Sequence, residues 1–270
     1  EALRLYHAAL RLDPDRPATL YNIGLIHKYR GEWEQSLAFN RRSVELAPQD
    51  ESTNWNLAIA ATALRDWRTA RRAWRRLDMP IENGDAPIEQ DFGITPLRLN
   101  PDGDAEVVWA RRIDPVRARL ENIPYPGSGF RCGDVVLHDG APTGERESGG
   151  RTYSVFNVLE LFEASALSTY EAEVRIGKSA DLASLLEALE QAGVDHEDWT
   201  TNVRWLCRQC SEGTPHDHHD HALRDEWHDR HVVALATIDP TSAQSVFAAW
   251  AGGSRQLLRF DLKLGRPSRH

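Results

Sequence analysis

The amino-acid sequence repeats itself in its first third with a period of 34 residues, and this constrains the fold more than any other feature. Pro14 returns as Pro48, Trp33 as Trp67 and Ile23 as Leu57, while the small residues Ala2, Ser36 and Ala70 stand in one register. A repeat of this length is one supersecondary unit that cannot bury its apolar face alone, so successive units must stack to form a continuous core. Each period carries two helical patterns, parted at Gly31 and closed at Pro48. Small residues at Gly24, Ser36, Ala58 and Ala70 let the paired helices cross closely, where larger side chains would wedge them apart.

From Pro17 to Asp50 the sequence resembles a whole tetratricopeptide (TPR) unit: Ile23-Gly24 stands at the family's Leu-Gly, Gly31 at the turn between the helices, and Pro48 at the close. Residues 1–16 resemble the second helix of a preceding unit, and residues 51–79 a further unit with Ala58 in place of the family glycine and Arg65 in place of the turn glycine. Residues 1–79 therefore read as two and a half units, with further repeats expected upstream or tight docking on the next domain. The resemblance implies a protein-binding module whose inner groove is lined by Tyr21, Leu25 and Lys28, then Trp55, Ile59 and Thr62. A groove of that character favours an amphipathic helix or an extended apolar peptide. Relatives that clamp a C-terminal carboxylate use lysine and asparagine; Asn22 and Asn56 are present, but Tyr21 and Trp55 stand where the lysine would be.

A formal net charge of −9 and a pI near 5.7 argue against a general affinity for nucleic acid, which needs clustered positive charge. The local exception is Arg65, Arg68, Arg71, Arg72, Arg75 and Arg76, which read either as a solvated helix face or as a site for an acidic partner. No apolar run reaches the roughly 18 residues of a membrane span, and no basic-then-apolar leader opens the chain, so neither a membrane nor export is expected. With only three cysteines there is no disulfide framework, and a reducing compartment, the cytoplasm, is expected.

Residues 80–104, with four prolines and mostly acidic charges, read as an extended connector. Residues 105–166 carry short β-rich runs, VVWARRI, VRARLENI, DVVLHDG and YSVFNVLELF, and predict a small twisted sheet or half barrel. His138-Asp139-Gly140 lacks a nucleophile partner at recognisable spacing and reads as a turn. Residues 170–266 predict the order βαββαβ: a strand over 170–176, a helix from Ser179 stopped by Gly193, strands over 202–206 and 231–238, a helix after Asp239-Pro240, and a last alternating strand. That order predicts a ferredoxin-like sheet, and the expected fold class is multi-domain: TPR helices, a small β-rich middle and a ferredoxin-like end. The strand HVVALATI lacks the aromatics of RNA-binding relatives, and Cys-x-x-Cys follows the second strand rather than preceding the first helix, as it does in copper chaperones.

The strongest chemical signal is the run from Cys207 to His221, inside an insertion over 207–231. Cys207 and Cys210, two residues apart, can turn both thiolates to one ion, and four of Cys207, Cys210, His216, His218, His219 and His221 would complete a tetrahedral structural zinc site. The alternative is a solvated histidine-rich hairpin. His228 and His231 are outside candidates. His216-x-His218-x-Asp220-His221 has the letters of the HxHxDH motif of metallo-β-lactamase-like hydrolases, but it follows a polar loop rather than an apolar strand. The function expected from these features is a protein-binding adaptor or scaffold with structural zinc and no assigned catalytic residue. An inhibitor or immunity-type protein and a metal-dependent enzyme stand as alternatives.

Overall fold

The computed structural model describes residues 1–200 and 228–266. Five helices come first: α1 (Ala2–Leu12), α2 (Pro17–Lys28), α3 (Trp33–Leu46), α4 (Glu51–Ala63) and α5 (Trp67–Arg76). Their ends are set locally. Pro17 occupies the first turn of α2, where a missing N–H costs nothing. The Asp50 carboxylate accepts from the Thr53 amide at 2.7 Å to cap α4, and Asp66 caps α5 through the Thr69 amide at 3.1 Å. Gly31 turns between α2 and α3 at φ +67°, and one period later Arg65 holds φ 60°.

The two helices of the first pair meet through Gly24, whose carbonyl accepts from Ser36 Oγ at 2.9 Å. A Cβ on Gly24 would stand 2.5 Å from Asn40 Nδ2, and Asn40 is fully buried with that amide donated to Ser36 O at 2.8 Å. Gly24→Val is therefore expected to destabilise the protein by ~1–3 kcal/mol through overpacking, as read by urea unfolding.

β1 (Ile94–Leu99), β2 (Glu106–Arg112), β3 (Arg117–Leu120), β4 (Val135–Ser148) and β5 (Arg151–Glu163) form a closed barrel in sequence order. β1 pairs antiparallel with β2, Pro96 opposite Trp109, and closes the barrel by parallel pairing with β5, Leu97 opposite Phe156. Leu97, Leu99, Val108, Ala110 and Val155 are buried, and the buried Arg98 donates to Thr143 Oγ1 at 3.4 Å and Asn157 Oδ1 at 3.3 Å.

The last part comprises β6 (Ser168–Arg175), α6 (Ser179–Gln191), β7 (Asp195–Asp198), β8 (Arg230–Thr237), α7 (Thr241–Trp250) and β9 (Gln256–Leu264). Its sheet runs β7-β8-β6-β9 with every neighbouring pair antiparallel. Leu185 and Leu189 of α6 and Ala243, Phe247 and Trp250 of α7 pack with Ala172, Val174, Val233 and Leu235 of the strands in one core. Ala234 and Ala236 pack instead with Ile123, Cys132 and Trp199 in a second core.

These observations correct the fold class expected from the sequence. The described residues hold seven α-helices and nine strands in two sheets, so the β portion is large and includes a closed barrel. It is not a small β-rich insert between a TPR array and a ferredoxin-like domain. The physical reason lies in glycine and proline. Pro96 sits inside β1, in the stretch read as a connector, and His138-Asp139-Gly140, read as a turn, lies within the 14-residue β4. Short strands seen one at a time do not report closure. The second strand of the last sheet is the polar Asp195–Asp198, whereas the strand expected over 202–206 lies outside the described residues.

The chain divides into two compact units. One contains Glu1–Gly93, Arg112–Ala118 and Leu137–Ala141; the other contains Ile94–Arg111, Arg119–Val136 and the described residues from Pro142 onward. Among the described residues no helix is long and apolar enough to cross a membrane.

Candidate protein-interaction site

Within the helical unit, the positions expected to line the inner groove divide in two. Tyr21, Leu25 and Trp55 are half-buried, whereas Lys28, Ile59 and Thr62 are buried. The segment Leu137–Ala141, of the same unit, meets two of them. Lys28 Nζ donates to Asp139 Oδ1 at 2.9 Å in an ion pair whose side chains are 3% and 6% exposed. Asp139 Oδ1 also accepts from the Gly140 amide at 2.7 Å, so one carboxylate both pairs with α2 and shapes its own strand. Gly140 lies against the Trp55 ring, where a Cβ would come within 2.7 Å of Trp55 Cε3. Trp55 in turn sets its ring edge-on to Trp74, centroids 4.9 Å apart.

Burial lowers the Lys28 pKa below its usual value, against the opposing pull of Asp139. Burial likewise raises Tyr29, and the neighbouring Asp139 charge and hydrogen bond raise it further. His138 beside them is fully buried and neutral: desolvation brings its pKa to about 4, and its Nδ1 lies 2.8 Å from the Asp139 carbonyl. His138-Asp139-Gly140, read as a turn from the sequence, is instead part of β4.

The arginine run on α5 also divides. The buried Arg71 donates to the carbonyls of Glu82, at 3.1 Å, and Ala86; Arg75 reaches the Glu82 carbonyl at 3.2 Å and Asn83 Oδ1; Arg68 pairs with Asp85 at 3.4 Å. This flank holds the chain's own acidic stretch. The available signal was charge adjacency, six arginines followed directly by an acid-rich segment. Arg117 stacks on Trp67 at 4.6 Å and pairs at 2.6 Å with Asp114, whose carboxyl burial pushes up despite the guanidinium.

The other flank, facing α3, is open. A cavity of about 440 Å³ lies between α3 and α5, lined by the buried Val44 and Leu57 and by Arg41, Glu45, Arg72 and Arg76.

The metal ligands expected from the sequence, Cys207, Cys210, His216, His218, His219 and His221, lie outside the described residues. Of the outside candidates, His228 is exposed, and His231 opens the β8 core with Nδ1 at 3.2 Å from Asp198 Oδ2 and Nε2 at 3.2 Å from the His228 carbonyl. Among the described residues no cluster of three or more His, Cys, Asp or Glu side chains could hold a metal ion.

No family model matches the chain. A stretch of 62 residues is 45% identical to the photosystem I assembly protein Ycf3 of Rippkaea orientalis (strain PCC 8801 / RF-1), covering 22% of this chain and 36% of that protein. A stretch of the same length is 40% identical to the photosystem I assembly protein Ycf3 of Cyanophora paradoxa, with the same shares covered. The chain thus spans about a third of the length of these curated relatives, and over that segment the similarity supports a tetratricopeptide-type stretch.

Proposed function

We propose that this protein is a protein-binding adaptor of the assembly-factor kind, in which the N-terminal helix pairs recognise another polypeptide. The observation that carries the reading is the similarity of a 62-residue stretch to two assembly proteins, coupled with helix pairs whose residues one period apart are buried alike: Ile23 and Leu57, Trp33 and Trp67, Ser36 and Ala70. On this reading the inner face is a recognition surface at its half-buried positions, Tyr21, Leu25 and Trp55, with Lys28, Ile59 and Thr62 buried beneath. Residues 137–141 engage its Lys28 and Trp55, and Tyr21 and Leu25 remain half-exposed for a partner. The compartment that suits it is the cytoplasm, where its buried Cys132 would stay a reduced thiol.

The test is co-purification from a native extract, comparing the wild-type chain with Tyr21→Glu/Leu25→Glu. A defined protein partner lost by tenfold or more with the variant supports recognition by the helix pairs. Identical recovery by the two chains would remove the inner face from the account. A partner that proves to be an enzyme silenced in the complex would move the assignment to an inhibitor.

We further propose a structural zinc ion held by four of Cys207, Cys210, His216, His218, His219 and His221, on the strength of the donor set and the Cys-x-x-Cys spacing. Cys207→Ser/Cys210→Ser is expected to abolish stoichiometric zinc, measured by inductively coupled plasma mass spectrometry. Loss of that ion should also lower the thermal midpoint. Unchanged zinc content and midpoint would dispose of the site.

A further inference from the structure

We propose that the groove between α3 and α5 binds an acidic segment of a protein partner. This extends the adaptor reading to a second surface and names the chemistry of what it holds.

The groove is cationic for identifiable reasons. Arg72 and Arg76 stand one turn apart on α5 and are both exposed, so their guanidinium groups lie along one face. Arg41 approaches from α3 with its side chain half-exposed. The carboxylates close by are already engaged. Asp66 caps the α5 N-terminus through the Thr69 amide and lies 3.6 Å from Arg41, and Glu45 pairs with Arg42 at 3.1 Å. Arg72 makes a bond of 3.4 Å to the neutral Thr69 Oγ1 and is attracted by the Asp66 carboxylate from beyond ion-pair distance, and among the described residues no ion pair reaches Arg72 or Arg76. Two guanidinium groups thus stand outside any such pair, beside the buried apolar side chains of Val44 and Leu57.

Two observations identify the occupant as acidic polypeptide. The chain as a whole carries a formal charge of −9, which opposes the approach of an acidic partner, so the complementary charge for one is local, in Arg41, Arg72 and Arg76 around this groove. The same helix also shows how it takes such a segment: on its opposite flank Arg68, Arg71 and Arg75 hold residues 82–86 by one carboxylate and by backbone carbonyls. A partner segment that offers carboxylates to Arg41, Arg72 and Arg76 and one aliphatic side chain to the cavity would satisfy charge and volume together. Arginine forks suit that pairing because they bind carboxylates bidentately.

The experiment uses the full chain and a fluorescein-labelled synthetic peptide of alternating Glu and Leu, followed by anisotropy, with a Gln/Leu peptide and a single-stranded oligonucleotide of equal charge as comparators. Binding of the Glu/Leu peptide is expected to weaken by about tenfold or more in Arg72→Glu/Arg76→Glu and to weaken as salt rises. Both side chains are exposed, so the variant's unfolding midpoint should match the wild type, which separates lost contact from lost fold. Tyr21→Glu/Leu25→Glu should bind the peptide as the wild type does. Equal binding of the Gln/Leu peptide, equal binding of the oligonucleotide, or no effect of Arg72→Glu/Arg76→Glu would each overturn the proposal. Failure here with partner loss in the inner-face variant would leave the adaptor reading standing; the converse would leave only the cationic groove.

Discussion

Asp139→Ala is expected to lower the stability of the protein by about 3–5 kcal/mol, because it strands a buried ammonium group without its counter-charge. Lys28 Nζ sits 2.9 Å from Asp139 Oδ1 with almost no access to water, so nothing outside the protein can replace the carboxylate. Asp139→Asn keeps an acceptor for the Gly140 amide and should lose less. Lys28→Met/Asp139→Asn removes the stranded charge altogether, so the double variant should be more stable than the sum of the two single losses implies. Urea unfolding of the wild type, Lys28→Met, Asp139→Asn and the double variant checks this, and strict additivity would mean that the pair does not couple.

The pH dependence has a definite sign. Burial holds the Lys28 pKa below the unfolded value of 10.5, so in the interval between the two the unfolded chain binds more protons, and stability rises with pH there. Asp139→Ala removes the opposing attraction, and the rise should begin at lower pH.

A second large effect comes from the residue next door. His138 is fully buried and titrates at about 4 when folded, against 6.5 for the free side chain, with desolvation as the main cause and Arg112 and Asp139 as its charged neighbours. Between those values the unfolded chain carries the proton and the folded one does not. Stability therefore increases as pH rises through this window and is lost as pH falls, by up to ~3 kcal/mol for the whole interval. His138→Gln should flatten that part of the stability profile while costing some packing. Asp114, whose carboxyl is raised by burial, acts with the opposite sign and is common to both proteins, so the difference between the two profiles isolates His138. Parallel profiles from urea titrations between about pH 4 and about pH 6.5 would show that His138 is not held neutral.

Both effects fall on five residues, 137–141, that the sequence places well away from α2 and α4. This segment meets Lys28 and Trp55. Asp139→Ala, if it loosens the contact, should expose Trp55 as well as destabilise the fold, and the tryptophan emission would then shift to the red.

The local architecture of the helical part was legible from the residues alone. The 34-residue period located α2 to α5, since the residues that recur, Ile23 and Leu57, Trp33 and Trp67, Ser36 and Ala70, are those the helix pairs bury against one another. Helix ends are set equally locally in the structure, because Pro17, Asp50 and Asp66 act on groups within a few residues of themselves. It took the folded chain to show that Lys28 and Trp55 face Asp139 and Gly140, that the arginines of α5 split between the chain's own acidic stretch and an open groove, and that five strands close into a barrel. Periodicity and capping report interactions between residues near in sequence, whereas ion pairing across a hundred residues and barrel closure depend on where the chain returns, which no local pattern encodes.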